Sequence, residues 1–476
     1  MTNHSHADRQ KPLLILHLDG VGHTVLTSAV ADGTMPFMAS LLRSGYATQQ
    51  YSPGLPSTTP YAQAGILYGD NTGIAGFRWY DKRSGVDVAF GVGSSFKRVA
   101  HRYFQGRRGL VEGGAAIAAC YDGGARITFG LAYRERHYRG SQDAAGRIIG
   151  RFALNPVNAA DAAWQLVNTT GATLTNYLYR RARGSHPARA YVLGDIAEET
   201  FVHHLTRFAV LQAIRDRISP IYACFYAYDE SSHGFGPDDP INLHMLRHLD
   251  RTLAMIFKAG SAYEIVVLSD HGQTPAKPFV SVGGKRLHEV ISNWLPTYEV
   301  RDLKVRRPAP HEDRVDGHIL IGASGGLAHI YLPEAPGALL LDEVEARCPG
   351  LIHRLAGHPG IQFLVGRRRQ GYVLVDANGE VPLDSARGML DAFEQPAIVS
   401  KQLSKLMSFP TAGDIILIGR FEAGRQVDFE DQLGTHGSIG GEQGRPFVLA
   451  RSELGLDVRT VTDASELFGI LRGLVG

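Results

Sequence analysis

The sequence predicts a three-layer α/β/α sandwich with a mostly parallel central sheet, interrupted by two inserted cap regions. Three observations carry that expectation. The short runs LLILHLDG (13–20), PIYACFYAYDESSH (220–233) and YEIVVLSDHG (263–272) are β-rich and apolar almost throughout, as strands buried on both faces are. Helical stretches separate them at Met38–Gly45, Phe201–Ile218 and Pro240–Gly260. Each run also ends in residues that can do chemistry, and open α/β sheets gather ligands at the carboxyl ends of their strands.

In chain order, residues 10–85 form the first part of the core and 86–190 a Gly- and Arg-rich insertion. Residues 191–280 form the second part of the core. A second insertion, 281–410, carries the strand signals HILIGA and GLAHIYL and a hairpin-like GYVLVDANGEV. The third part, 411–476, opens with DIILIGRF and leads to a loop bearing His436. No internal repeat or low-complexity tract is evident.

Composition excludes several classes. With 476 residues, 44% hydrophobic and 20% charged, the chain is neither disordered, collagen-like nor a coiled coil overall. Its 49 basic and 47 acidic residues give a net charge of +2, which does not call for nucleic acid. Cys120, Cys224 and Cys348 are scattered, so neither a disulfide framework nor a cysteine-rich zinc module is expected. The polar start MTNHSHADRQKP has no secretory pattern, and no window supplies the roughly 20 apolar residues of a membrane span. The expectation is a cytoplasmic protein. The basic stretch 97–151 reads as a solvated face, as an electropositive mouth for an anionic substrate, or as a membrane-surface or nucleic-acid patch. Its aromatics Tyr103, Phe104, Tyr121, Phe129, Tyr133 and Tyr138 suit either a stacking wall or a packed cap.

The candidate chemistry lies at the strand ends. Asp229 and His233, four apart, can both turn towards one cation, although alone such a pair reads first as a helix cap with a surface histidine. Asp270 and His271 can share a site only where the chain turns, which Gly272 permits. Asp19 and His436 add a carboxylate and an imidazole. Together, three Asp and three His supply ligands for two divalent ions. In LPSTTPYAQAGILYG (55–69), Thr59 lies near a helix N-cap with Pro60 at the first helical position. A hydroxyl there sits at the positive end of the helix, where a metal can make it a nucleophile. Thr58 is the adjacent alternative.

In this order of residues the chain resembles the type I phosphodiesterase and nucleotide pyrophosphatase group of the alkaline phosphatase superfamily. The resemblance rests on Asp19, Pro56-x-x-Thr59 with Gly69, Asp229-x-x-x-His233-x-x-Gly236-Pro237, Asp270-His271-Gly272 and His436-Gly437, and spans roughly 12–82, 219–273 and 411–450. It implies an alkaline-phosphatase-like fold. It further implies one metal held by Asp229, His233 and His436, and another by Asp19, Asp270, His271 and the Thr59 oxygen, about 4 Å apart. Zinc is the first expectation and manganese the second. The implied reaction is hydrolysis of a phosphate diester or pyrophosphate in a small anionic substrate, through a phosphothreonine at Thr59. The Asn that binds phosphoryl oxygens in nucleotide pyrophosphatases is here Phe77, and the neighbouring Arg78 is the candidate replacement. A base-holding aromatic pair cannot be assigned. The rivals are a phosphomonoesterase or phosphoryl transferase or mutase, for which Arg78 and Lys82 are candidate clamps, and a non-catalytic metal-binding module. The sulfatase C/S-x-P-x-R motif, the Asp-Ser-Ala of three-metal phosphatases and a phosphate loop are all absent.

Overall fold

Leu13–Leu18 is buried at every position because it is an inner strand of an eight-stranded sheet, pairing in parallel with Ile221–Phe225 on one side and Glu264–Leu268 on the other. The structure, a computed structural model, describes residues 11–90, 95–130, 142–182, 202–303 and 317–475. Across this sheet the strands run Tyr46–Gln50, Phe447–Arg451, Glu264–Leu268, Leu13–Leu18, Ile221–Phe225, Ala115–Ile117, Ile127–Phe129 and Gln142–Asp143. Phe447–Arg451 pairs antiparallel with both its neighbours, and every other pairing is parallel. The fold is therefore the expected α/β sandwich.

Alternation along the first strand builds the three layers. Leu13 and Ile15 face a core shared with Tyr61, Ala64 and Leu67 of the helix Thr59–Tyr68. Leu14, Leu16 and Leu18 face the opposite core, with Leu249, Leu253 and Ile256 of the helix Pro240–Ala259 and Val210 of the helix His203–Arg215. Asp239 caps Pro240–Ala259, its carboxylate accepting from the Ile241 N–H at 3.0 Å. Such burial is worth roughly 1.5–3 kcal/mol per large apolar side chain, so the sheet and its flanking helices form a rigid frame.

Two stretches differ from their sequence expectation. The segment 86–190, read as an inserted cap, contributes the strands Ala115–Ile117, Ile127–Phe129 and Gln142–Asp143 to the central sheet. These strands are two or three residues long, too short to leave an apolar run. Ile415–Gly419 is the middle strand of a second, seven-stranded sheet in the order Tyr298–Asp302, Gly317–Ser324, Leu327–Tyr331, Ile415–Gly419, Ile361–Arg368, Gly371–Asp376, Gly379–Pro382. It has its own core around Ile319, Ile330, Leu364 and Leu417. A small four-stranded sheet bridges the layers, with Thr274 opposite Thr435 and Pro275 opposite Gly434.

The aromatics of the basic stretch are packing residues. Tyr68 stacks on Phe104 at 4.2 Å, Tyr121 meets Phe104 edge-on at 5.0 Å, and Phe129 is buried in the opposite core. Tyr133 and Tyr138 lie outside the described residues. Among the described residues no single helix is long and apolar enough to cross a membrane.

Candidate metal centre

The helix Thr59–Tyr68 is buried along its whole length, with Thr58 at the N-cap and Thr59 as its first residue, one position earlier than the capping pattern suggests. It ends at Gly69 in the left-handed region (φ 69°). Gly65 lets it lie against the 464–465 backbone. A Cβ there would stand 2.6 Å from Ser465 N and 2.9 Å from the Ala464 carbonyl carbon. The helix N-terminus thereby points at the carboxyl ends of the three parallel strands, and the Thr59 hydroxyl lies 3.3 Å from both Asp19 Oδ1 and His271 Nε2.

Each of the other candidates is set by a different element. Asp229 and His233 sit one turn apart on the short helix Ala227–Phe235, rather than in a loop, with His233 Nε2 3.2 Å from Asp229 Oδ2. Asp270 and His271 follow the strand Glu264–Leu268 where the chain bends, and His271 Nε2 is 3.3 Å from Asp270 Oδ2 and 3.5 Å from Asp19 Oδ1. His436 follows the strand Gly434–Thr435, its Nε2 3.2 Å from His233 Nε2 and 3.8 Å from Asp229 Oδ1. All six, and Thr59, are buried. The structure thus brings together every ligand residue the sequence marks.

The imidazoles share one orientation. His233 Nδ1 meets Gly434 O at 3.0 Å, His271 Nδ1 meets Gly272 O at 3.1 Å, and His436 Nδ1 meets Ser57 O at 2.9 Å. A carbonyl oxygen only accepts, so each Nδ1 carries the hydrogen, and each Nε2 of a neutral ring turns a lone pair inward. Fixing a ring through its second nitrogen is how proteins orient metal-bound histidine. Asp229, His271 and His436 place ligand atoms within 4.8 Å of one another, as do Asp19, Asp270 and His271. Converging lone pairs and carboxylates in a buried site fit divalent cations.

Electrostatics without an ion fit the same reading. Burial, then repulsion from Asp270 and Asp229, pushes the Asp19 carboxyl well above its ordinary value. Burial also acts to raise Asp229, but His233 and His436 outweigh it and the net shift is downward. Burial opposes charge on His233, yet the Asp229 carboxylate prevails and lifts it to about 10. His436 is depressed to about 3, chiefly by burial and then by His271. Asp270 is lowered to about 2 because His271 and His17 outweigh its burial.

Sequence reasoning missed the supports of this cluster. Gln273 donates its amide to Asp229 Oδ1 at 2.6 Å. His17 Nε2 lies 2.9 Å from Asp270 Oδ1, and its Nδ1 lies 2.6 Å from the Tyr222 hydroxyl and 3.3 Å from Gln63 Nε2. A signal existed: His17 is the one polar residue within LLILHL and stands two before Asp19, so both share a strand face.

Arg78 and Lys82 are not brought to the cluster as clamps. Arg78 pairs with Glu430 and donates to Ala323 O, tying the hairpin strand Arg78–Asp81 to the second sheet. Lys82 pairs with buried Asp414 at 2.7 Å. Phe77 is the site-facing residue, its ring edge-on to His436 with centroids 5.8 Å apart. Thr59, not Thr58, is the hydroxyl that meets Asp19 and His271.

A mostly parallel sandwich with buried His and Asp clusters at its strand ends defines a phosphoester hydrolase of the alkaline phosphatase superfamily with a candidate metal centre. The sequence profile of the family described as type I phosphodiesterase / nucleotide pyrophosphatase matches residues 13–339, and the chain belongs to that family. Two solved structures, of phosphonoacetate hydrolase from Sinorhizobium meliloti 1021 in complex with phosphonoformate and with phosphonoacetate, are similar to it in fold. Each has a TM-score of 0.50 at 16% identity, covering 98% of this chain and 96% of that chain. No curated protein sequence matches the chain.

Proposed function

We propose that this protein is a metal-dependent phosphodiesterase or pyrophosphatase that works through a phosphothreonine at Thr59. The observation that carries the reading is the Thr59 hydroxyl, 3.3 Å from both Asp19 and His271 at a helix N-terminus, beside three imidazoles whose Nδ1 atoms are held by backbone carbonyls and whose Nε2 atoms turn inward. Asp229, His233 and His436 would hold one divalent cation, and Asp19, Asp270, His271 and the Thr59 oxygen another, with zinc preferred for the mixed His/Asp shell and manganese second. When bound, the cations supply positive charge to the phosphoryl oxygens and lower the pKa of oxygens they hold.

The chain's own residues do the positioning. Asp19 and His271 hold the Thr59 oxygen from two sides, and the helix N-terminus adds partial positive charge behind it. The Thr59 oxygen forms the new bond to phosphorus as the ester oxygen leaves, and water then cleaves the phosphothreonine. His271 and His17 offset the charge of Asp270, whereas burial and its carboxylate neighbours push the Asp19 carboxyl upward until a cation is present. Phe77 beside His436 gives an apolar wall in place of a polar one. Arg78 and Lys82, the candidate clamps for a monoester dianion, are already paired with Glu430 and Asp414, which favours a singly charged diester.

The test is hydrolysis of bis(p-nitrophenyl) phosphate against p-nitrophenyl phosphate after loading with zinc or manganese, with Thr59→Ala in parallel. Diester preference that disappears in the variant supports the reading. Monoester preference transfers it to a phosphatase or mutase. Bound metal with no turnover leaves a binding role. Phosphonates belong in the substrate panel because one protein of similar fold is a phosphonoacetate hydrolase.

A further inference from the structure

Seven of the ten large apolar side chains that stand exposed among the described residues fall between Ile149 and Leu178. Most lie on one helix, Pro156–Ala182, whose 27 residues span about 40 Å. Trp164, Val167, Gly171, Leu174 and Leu178 recur at alternating steps of three and four, and the four apolar side chains are 65%, 67%, 44% and 63% exposed. That narrow stripe is the pattern of a coiled-coil seam. The opposite face is already docked: Thr169 and Thr173 are buried there, and Asn176 donates to Asp239 Oδ1 at 2.9 Å.

Gly171 lies at the centre of the stripe. Inside a helix, glycine is about 1 kcal/mol less favourable than alanine. Gly65 is explained by backbone packed against it, but a Cβ on Gly171 would meet nothing within 4 Å. Nothing among the described residues requires a glycine there, whereas a second helix crossing closely would.

Charge and spacing select the occupant. No charged residue lies between Asp161 and Arg180, as in the core of a protein interface and unlike a membrane-surface helix, which sets Lys and Arg along its polar face. Trp164 and Leu178 are equidistant from Gly171, and so are Asp161 and Arg181. An antiparallel pairing about Gly171 sets Trp164 against Leu178 of the second copy, and Asp161, which also pairs with Arg207 of its own chain, against its Arg181. A parallel pairing would set arginine against arginine. A standard interface buries about 800 Å² on each partner, and exposed Trp164, Val167, Leu174 and Leu178 would form its apolar centre. We infer that a second copy of this chain docks here, the two Pro156–Ala182 helices forming a two-fold antiparallel pair that crosses at Gly171.

Analytical ultracentrifugation of the full chain tests this. Wild type should be a dimer at micromolar concentration, and Gly171→Leu should weaken dimerisation at least tenfold while leaving the far-UV circular dichroism unchanged. Cys120, Cys224 and Cys348 are buried, so an introduced thiol reports its own position. Gly171→Cys should oxidise to a covalent dimer and Leu178→Cys should not. A wild type that stays monomeric at tens of micromolar would overturn the proposal, as would a dimer indifferent to Gly171→Leu or a cross-link through Leu178→Cys. A monomer that sediments with phosphatidylserine vesicles would assign the stripe to a membrane surface instead.

Discussion

His17 Nε2, on the strand Leu13–Leu18, lies 2.9 Å from Oδ1 of Asp270, two residues beyond the neighbouring strand Glu264–Leu268, with both side chains fully buried. On the other side of its ring, Nδ1 faces the Tyr222 hydroxyl and the Gln63 amide. The chain Tyr222–His17–Asp270 therefore sets the carboxylate from behind, where no substrate reaches. His17→Gln should lower metal affinity about 10- to 100-fold, the usual effect of removing an outer-shell partner. Metal titration of the variant measures this, and an unchanged affinity would reduce His17 to packing. Tyr222→Phe should have a weaker effect in the same direction.

Thr59→Ala should retain the metal and lose turnover by at least about a thousandfold, because the remaining groups still bind but nothing accepts the phosphoryl group. Metal content beside a progress curve separates the two effects. If the alanine variant keeps most of its activity, the hydroxyl is not the nucleophile.

Gly65→Ala should displace the Thr59 helix, since the new methyl meets the Ser465 and Ala464 backbone, which cannot move aside as a side chain can. Overpacking of this kind destabilises by about 1–3 kcal/mol. Thermal unfolding should show a lower midpoint, and kcat should fall with it, although residue 65 touches no candidate ligand.

Metal binding should tighten as pH rises. Asp229 holds His233 up to about 10, so near neutrality a cation must displace a proton from that ring. Affinity should therefore be higher at pH 8 than at pH 5. Calorimetry in buffers of different ionisation enthalpy should also detect proton release. Equal affinity at both pH values would sink the ligand assignment.

His329 gives a separate pH dependence of stability. Its Nε2–H donates to Ala75 O at 2.8 Å, its Nδ1 accepts from Gly413 N–H at 3.1 Å, and burial depresses it to about 4. The folded state favours the neutral ring, so the unfolded chain takes up the proton first as pH falls. Stability is fully present above about 6.5 and declines towards pH 4, by up to about 3 kcal/mol. Urea unfolding of His329→Gln over that range should show a flatter profile.

Most of the candidate ligands were legible because Asp19, Asp229, Asp270 and His271 come just after the buried strands Leu13–Leu18, Ile221–Phe225 and Glu264–Leu268, where Asp and His stand out against apolar neighbours. The short strands near Ala115 and Ile127 were not, since three residues leave no period to read. Arg78 looked like a phosphate clamp because guanidinium suits phosphate. Its actual partner, Glu430, lies 352 residues away and leaves no local trace. His17 could have been found from its spacing to Asp19. Gln273 could not, because an amide beside Asp270-His271-Gly272 has many ordinary uses.

His436 is held through Ser57 O, a contact between residues 379 apart in sequence, and the segment carrying it leaves the second sheet just before. Closing a contact of such separation costs loop entropy that only the finished packing offsets, so His436 is expected to join the cluster late in folding. A chain short of that point would hold Thr59 beside Asp19 and His271 without the full complement of imidazoles. Completion of the candidate metal centre is then a property of the finished molecule rather than of any one part of it.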